Sequence, residues 1–515
     1  MSREGCLAAL LERNPQNLAI VCQDFSASRG ELLAASLRAA ALLHAMGLRR
    51  GDTICVWLPD GGAWLQLLFA CAHLGVLMVP VSTRLRRNEA RHTVASAQAK
   101  AIFVPQQFLS FDYPGTARAI QADLPGLRDV VPIQAPERFI PVDDDLPDAP
   151  GSGQPDDPLC TFSTSGTTGH PKLAMHSQSG IARHAVNVAR RTDITGESVM
   201  LCGLSLYGVL GFVQMIGALA GGARCVFLQV FDAQHAAQAI RQHEVTHLFG
   251  SDGMFAPIWD RLGPGHTTLR WCGFAEFAGL GPAVVERAEC EWQVRAFGLY
   301  GASECLALTA TGLPGEEAQL RGLPGGSPIC SGIAFRIVDL ESGAELADGE
   351  KGELQIRGYN VMQGYLHNPE ATRNAFTGDG WFRTGDLAFA QGSRFVYLSR
   401  LKDSLRLKGY LVDPSEIEAF LGSHEAVEDA QVVAVTQAGV GDVAVAFVRM
   451  NDPAVQEADL LRFCKTGMAN YKVPERILKV ADYPRMDGPN GTKILKNRLR
   501  EIAEDAMAQR QGEQV

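Results

Sequence analysis

Between residues 161 and 172 the chain reads Thr-Phe-Ser-Thr-Ser-Gly-Thr-Thr-Gly-His-Pro-Lys, six hydroxyl side chains with two glycines, a proline and a lysine. Gly166 and Gly169 let backbone approach an anion with no Cβ in the way, and Ser163, Thr164, Ser165, Thr167 and Thr168 each carry a hydroxyl that donates a hydrogen bond. Phosphate oxygens are the natural partner. Lys172 adds a point charge, and Pro171 stiffens the exit from the loop. Composition alone would also suit a Ser/Thr-rich linker. A linker, however, is not framed by apolar residues, and here Leu159, Cys160 and Phe162 lead in and Leu173-Ala-Met175 lead out. The P-loop pattern is excluded, because His170 and Pro171 separate the lysine from the last glycine.

Three further clusters carry chemistry. In Gly298-Leu-Tyr-Gly-Ala-Ser-Glu304, Tyr300 offers a ring on which a purine stacks and Glu304 a carboxylate for a metal ion. A buried tyrosine and a helix-capping glutamate are the structural alternative. In Gly378-Asp-Gly-Trp-Phe-Arg-Thr-Gly-Asp386 the turn pairs Asp379-Gly380 and Gly385-Asp386 bracket two aromatics, and the Asp386 carboxylate has the two oxygens needed to accept both ribose hydroxyls. The alternative there is a solvated turn residue. Near the C-terminus, Gly488-Pro-Asn-Gly-Thr-Lys493-Ile-Leu-Lys496 is a glycine-rich tip carrying lysines. A lysine on a mobile loop neutralises negative charge developing in a closed site, whereas an exposed lysine pair does nothing.

The elements that must position these groups alternate. A helix is expected over Glu31–Met46, a strand over Thr53–Trp57, a helix over Gly62–Leu74 and a strand over Val76–Pro80. A further helix opens at Asn88, and another strand covers Ala101–Val104. Short apolar strands follow at Ser198–Cys202, Arg224–Leu228, Thr246–Phe249 and Leu269–Cys272. This alternation predicts an α/β fold with layered parallel sheets. Residues 143–158, rich in Asp, Pro and Gly, read as a surface crossing. Beyond Pro414-Ser-Glu416, a helix start, two strand-like runs (Ala430–Val435 and Val443–Val448) and a helix (Glu457–Met468) predict a small α+β unit.

A chain of 515 residues exceeds what one core usually fills. Its 46% hydrophobic and 20% charged residues describe an ordinary globular protein, and a formal net charge of −10 argues against nucleic acid as a partner. The twelve cysteines are scattered without a CxxC pair, as expected of reduced core thiols in a cytoplasmic protein. No apolar leader is expected at the N-terminus, and Trp64–Pro80 is broken by Gln66, His73 and Gly75, so no membrane span is expected.

Taken in order, these motifs resemble those of the adenylate-forming superfamily: acyl-CoA synthetases, aryl-CoA ligases, peptide-synthetase adenylation domains and beetle luciferases. The resemblance covers nearly the whole chain and implies a large N-terminal domain of layered α/β sheets (1–399) joined by a hinge near 400–403 to a smaller α+β lid (400–515). It implies an acyl-CoA synthetase that activates a small-molecule carboxylic acid with ATP and Mg²⁺ and passes it to CoA, with a carrier protein as the alternative acceptor. ATP would be held by Thr164, Ser165, Gly166, Thr167, Thr168, Gly169, Lys172, Tyr300, Gly301, Ser303, Asp386 and Arg400. Glu304, with Thr164 as second ligand, would hold the metal. The acid would lie against Tyr207, Gly208, Gly273, Phe274, Ala275 and Gly298. Lys402 would be the pivot, Lys408 and Gly409 would flank the pantetheine arm of CoA, and Lys493 would be catalytic, Lys496 being the alternative. Two departures bear on the acid. Gly208 stands where the family commonly has histidine, which would widen the acyl entrance, and Trp271-Cys-Gly-Phe-Ala-Glu276 replaces the usual Gly-Gly-Ala-Pro. There Phe274 would narrow the pocket, and Glu276 would either face solvent or meet a cationic group on the substrate.

Overall fold

The computed structural model describes residues 6–164, 171–265, 267–277, 279–401, 405–407, 410–412, 414–437, 441–468, 472–488 and 491–512. It has two compact units, residues 1–335 with 356–382, and residues 336–355 with 383–515.

Two sheets build the larger unit. In one, the strands Arg295–Ala302, Trp271–Ala275, His247–Ser251, Val199–Cys202, Arg224–Phe227 and Leu18–Cys22 lie side by side in that order, all parallel. Leu306–Thr311 and then Gly325–Pro328 extend it antiparallel at one side, and Phe25–Ser28 does so at the other. In the second sheet Pro158–Thr164, Leu77–Pro80, Thr53–Val56, Ala101–Pro105 and Asp129–Ile133 are parallel; Lys172–Ser177 is added antiparallel beside Pro158–Thr164, and Gly364–Tyr365 antiparallel beside Lys172–Ser177. Strands such as Val199–Cys202 are buried on both faces because helices cover a parallel sheet. The helix Gly62–Leu74 is itself buried nearly all round, which explains its largely apolar sequence, and it ends on Gly75 at φ +74°, where only glycine is unstrained. Ser28 starts the helix Arg29–Ala45 with a capping box closed by Glu31. Trp64, Phe212 and Phe162 form an aromatic chain, with ring centroids 6.2 and 5.0 Å apart, that leads from this core to the strand entering the Ser/Thr-rich loop. Removing the Phe162 ring would cost about 3–5 kcal/mol.

In the smaller unit the strands Val427–Gln437 and Gly441–Met450 form a hairpin, and Leu405–Leu407, itself paired with Tyr410–Val412, and Arg476–Lys479 both pair parallel with Gly441–Met450, at different points along it. Ile417, Leu421, Val432, Ala446, Val448 and Leu460 fill its core. Residues 336–355 and 383–399, which the sequence reading placed in the N-terminal domain, belong to this unit by contact. Arg394–Arg400 pairs antiparallel with Phe382–Gln391, and Arg383 reaches Glu353 at 3.3 Å.

All twelve cysteines are free, nine of them buried, and Cys290 alone is exposed. Among the described residues no helix is long and apolar enough to cross a membrane.

Candidate functional site

The Ser/Thr-rich segment is the connection of an antiparallel hairpin. Pro158–Thr164 runs in, Lys172–Ser177 runs out, and Thr164 is paired with Lys172 across the hairpin. The loop's hydroxyl and ammonium groups therefore start from one point. Ser165, Gly166, Thr167, Thr168 and Gly169 lie outside the described residues. The Thr164 hydroxyl is buried and has no hydrogen-bond partner among the described residues.

The segment ending at Glu304 is tied directly to this hairpin. Ser303 Oγ donates to the carbonyl of Ser163 at 3.0 Å, and His176 Nε2 donates to the carbonyl of Ser303 at 2.7 Å. Burial lowers the His176 imidazole to about 4, so near neutral pH it is an uncharged donor. The main chain of Glu304 accepts from Met362 N–H at 2.7 Å, and its side chain accepts from the Tyr365 hydroxyl at 2.8 Å. Lys172 Nζ lies 4.2 Å from the centroid of the same tyrosine ring. Tyr365 was not among the residues expected in the site. The visible signal was its place at the end of the run Gly358–Tyr365, between the motifs at 298–304 and 378–386; its last two residues form the strand beside Lys172–Ser177. Tyr300 is buried, in the strand Arg295–Ala302. Gly301 is required by its fold neighbours, since a Cβ there would stand 2.5 Å from Ala307 Cα, and a Cβ at Gly298 would meet the Leu323 carbonyl. A cavity of about 500 Å³ opens beside Lys172, bordered by His92, Ser96, His367 and Asn368. A larger hollow of about 730 Å³, bounded by Arg224, Thr246 and Arg270, lies at the amino ends of the parallel strands and includes none of the candidate residues.

Tyr207 and Gly208 sit in the turn that starts the helix Val209–Gly221, with Gly208 as its N-cap. The Tyr207 hydroxyl meets the side chain of Ser163, which brings this turn to the same hairpin, and burial raises its phenol above the ordinary value. The turn is fixed from behind by Asp60, whose two carboxylate oxygens accept from Leu206 N–H at 3.1 and 3.2 Å. Sequence reasoning missed Asp60, which no motif marks.

Two expectations are corrected. Phe274 does not narrow a pocket: its side chain is fully buried against Phe255, in the cluster formed with the helices on that face of the sheet. Side chains alternate along a strand, so Gly273 and Ala275 face the other way. Glu276 is half-buried and not simply turned to solvent. Its carboxylate accepts from Gly281 N–H at 3.2 Å, and burial raises it to about 7.

In the smaller unit Asp386 is no solvated turn residue. It is 2% exposed, within the strand Phe382–Gln391, directly opposite Arg400, whose Nη1 is 3.1 Å from its Oδ1. Lys493 is in the short strand Gly491–Ile494, opposite Met486 of Arg485–Gly488. Lys496 is engaged elsewhere, 2.9 Å from Glu418, which also accepts from Val432 N–H. Lys402, Lys408 and Gly409 lie outside the described residues.

The donor set suits Mg²⁺. Glu304 offers a carboxylate oriented by Tyr365, and the buried Thr164 hydroxyl has a vacant lone pair among the described residues, hard oxygen donors that leave the remaining positions to water and phosphate.

Residues 7–366 match the family model described as AMP-binding enzyme, and residues 416–487 match that of the AMP-binding enzyme C-terminal domain. The chain is 30% identical to the 7a-methyl-1,5-dioxo-octahydro-1H-inden-4-yl propanoyl:CoA ligase of Mycobacterium tuberculosis, over 97% of this chain and 98% of that protein. It is also 30% identical to the mitochondrial medium-chain acyl-CoA ligase ACSF2 of Danio rerio, over 97% of this chain and 88% of that one. The fold is similar to that of ATP-bound MatB from Rhodopseudomonas palustris, with a TM-score of 0.86, 24% identity, and coverage of 98% of this chain and 99% of that one.

Proposed function

The chain belongs to the AMP-binding enzyme family, and from that premise we propose that it is an AMP-forming acid–CoA ligase. The chemical problem is that two anions must meet. A carboxylate oxygen attacks the α-phosphorus of ATP, forming the acyl-adenylate as the bond to pyrophosphate breaks. The CoA thiol then attacks the acyl carbonyl, forming the thioester as AMP leaves with the bonding pair. No side-chain nucleophile is needed, because the mixed anhydride is already activated.

In this reading Thr164, the loop residues Ser165, Gly166, Thr167, Thr168 and Gly169, and Lys172 hold the β- and γ-phosphates. Tyr300, Gly301 and Ser303 take the adenine side, and Asp386 with Arg400 the ribose. Mg²⁺, held by Glu304 and Thr164, would supply screening of phosphate charge when bound. Lys493 places its ammonium on the reacting oxygens during adenylation. The lid, residues 400–515, then turns about Lys402, withdrawing Lys493 and bringing Lys408 and Gly409 to the path of the thiol. The acid lies against Tyr207, Gly208, Gly273, Ala275, Gly298 and the backbone of Phe274. The free thiols support the cytoplasm as its compartment.

The observation that carries the reading is the joining of Lys172, Glu304 and Ser303 to one hairpin through Tyr365, His176 and Ser163. It is tested by acid-dependent exchange of pyrophosphate into ATP over a panel of carboxylic acids. Medium-chain and ring-bearing acids come first, because glycine at 208 opens the entrance and relatives of both kinds are similar to this chain. Absence of exchange with every acid would overturn it. Offering CoA beside a phosphopantetheinyl carrier protein decides the acceptor.

A further inference from the structure

The larger unit contains two opposite charges that the proposed reaction keeps separate: the Lys172 ammonium, meant for phosphate oxygens, and the Glu304 carboxylate, meant for a metal ion. Both are held by one side chain. Tyr365 is 6% exposed, and its backbone is fixed by pairing with Ala174, two residues beyond Lys172 in the same hairpin strand. Its ring face receives Lys172 Nζ at 4.2 Å from the centroid, and its hydroxyl, at the ring's far rim, donates to Glu304 Oε1 at 2.8 Å. A cation on the face and an anion at the rim of one ring are both favourable contacts, the first through the ring quadrupole and the second through a charge-assisted hydrogen bond. Neither contact consumes its charge: the ammonium keeps its N–H donors, and the carboxylate keeps Oε2 and a lone pair on Oε1. Without the ring the two would attract each other, and a Lys–Glu ion pair would withdraw both from ATP and metal.

We propose that Tyr365 is a positioning residue that holds Lys172 and Glu304 apart and aimed, so that phosphate and divalent cation find their ligands already oriented. The inference rests on the function proposed above and goes beyond it in assigning separable jobs to the ring and the hydroxyl. Outer partners that orient a metal-ligating carboxylate commonly matter by 10–100-fold in metal affinity.

The test uses two variants of the full chain. Tyr365→Phe keeps the ring under Lys172 and removes the hydroxyl from Glu304; Tyr365→Leu removes both contacts. The probes are Mn²⁺ binding followed by electron paramagnetic resonance in the presence of a non-hydrolysable ATP analogue, and binding of the metal-free analogue by calorimetry. Tyr365→Phe should weaken Mn²⁺ binding on the order of tenfold and leave metal-free nucleotide binding within about twofold, because Lys172 keeps its platform. Tyr365→Leu should weaken both. Unchanged Mn²⁺ affinity in Tyr365→Phe overturns the inference, as does an equal loss of both affinities in that variant, which would mark simple loss of packing. If the unaltered protein binds neither the analogue nor Mn²⁺ and shows no acid-dependent exchange, the proposed function falls with it. If the unaltered protein behaves as expected and Tyr365→Phe does not differ from it, only this inference falls.

Discussion

Asp60→Asn is the substitution whose effect follows most directly from the structure. The carboxyl is 5% exposed, and burial outweighs the hydrogen bond from Leu206 N–H, raising it from its ordinary 3.8 to about 7. The titratable groups facing it are the buried thiols of Cys22 and Cys202, both pushed up by burial and uncharged near neutral pH. Between pH 4 and 7 the folded chain thus holds a proton on Asp60 that the unfolded chain has released. The folded state binds more protons, so this group's contribution to stability falls as pH rises through the window and is constant above it. From pH 5 to pH 8 the loss covers about two pH units below the folded pKa, or about 3 kcal/mol. Asparagine keeps an acceptor for Leu206 N–H and cannot ionise. The stability of Asp60→Asn relative to the unaltered protein should therefore rise by about 3 kcal/mol between pH 5 and pH 8. Glu276, also raised to about 7, acts in both proteins and cancels in the difference. Urea unfolding followed by tryptophan fluorescence reads this out, because all six tryptophans lie in the larger unit. Parallel stability–pH curves for the two proteins would refute the reasoning.

Four other outcomes are expected. Lys493→Ala should lower acid-dependent pyrophosphate exchange on the order of a hundredfold or more, while thioester formation from supplied acyl-adenylate changes little; equal loss of both steps would contradict the role given to this lysine. Lys402→Pro, which would stiffen the proposed pivot, should show the reverse pattern, and an unimpaired thioester step would remove the hinge from the proposed mechanism. Lys496→Met breaks the ion pair with Glu418 and should cost the smaller unit about 1 kcal/mol in denaturant while exchange persists; abolished exchange would move the catalytic role to Lys496. Asp386→Asn should raise KM for ATP roughly tenfold and erase discrimination against 2′,3′-dideoxy-ATP, and retained discrimination would place the ribose elsewhere.

Much of the larger unit could be read ahead of the structure because its signals are local. The helix Gly62–Leu74 was expected at its observed bounds, and the strand expected over Arg224–Leu228 runs from Arg224 to Phe227. What could not be read depends on which face a side chain takes or on contacts between distant segments. Phe274 is one residue from being a pocket residue, and a two-residue period sends it into the helix-covered core. Asp386 follows a glycine with φ +67°, which reads as a turn, yet it continues a long strand and is buried against Arg400. Asp60 and Leu206 are 146 residues apart, and Tyr365 and Glu304 are 61 apart, so no window along the chain joins either pair. The strongest motif announced the chemistry, but the groups that hold it in place carry no motif of their own.

The distribution of thiols gives this chain a built-in attachment point. Nine of the twelve thiols are sealed in the interior, several with their ionisation pushed far upward by burial, and a thiol that cannot form its anion does not react with a maleimide. Cys290, on the outer side of the helix Gly281–Trp292, is exposed. A fluorophore offered briefly to the native protein would therefore react first at that position, ahead of the half-buried Cys6 and Cys330, and place a dye on the larger unit.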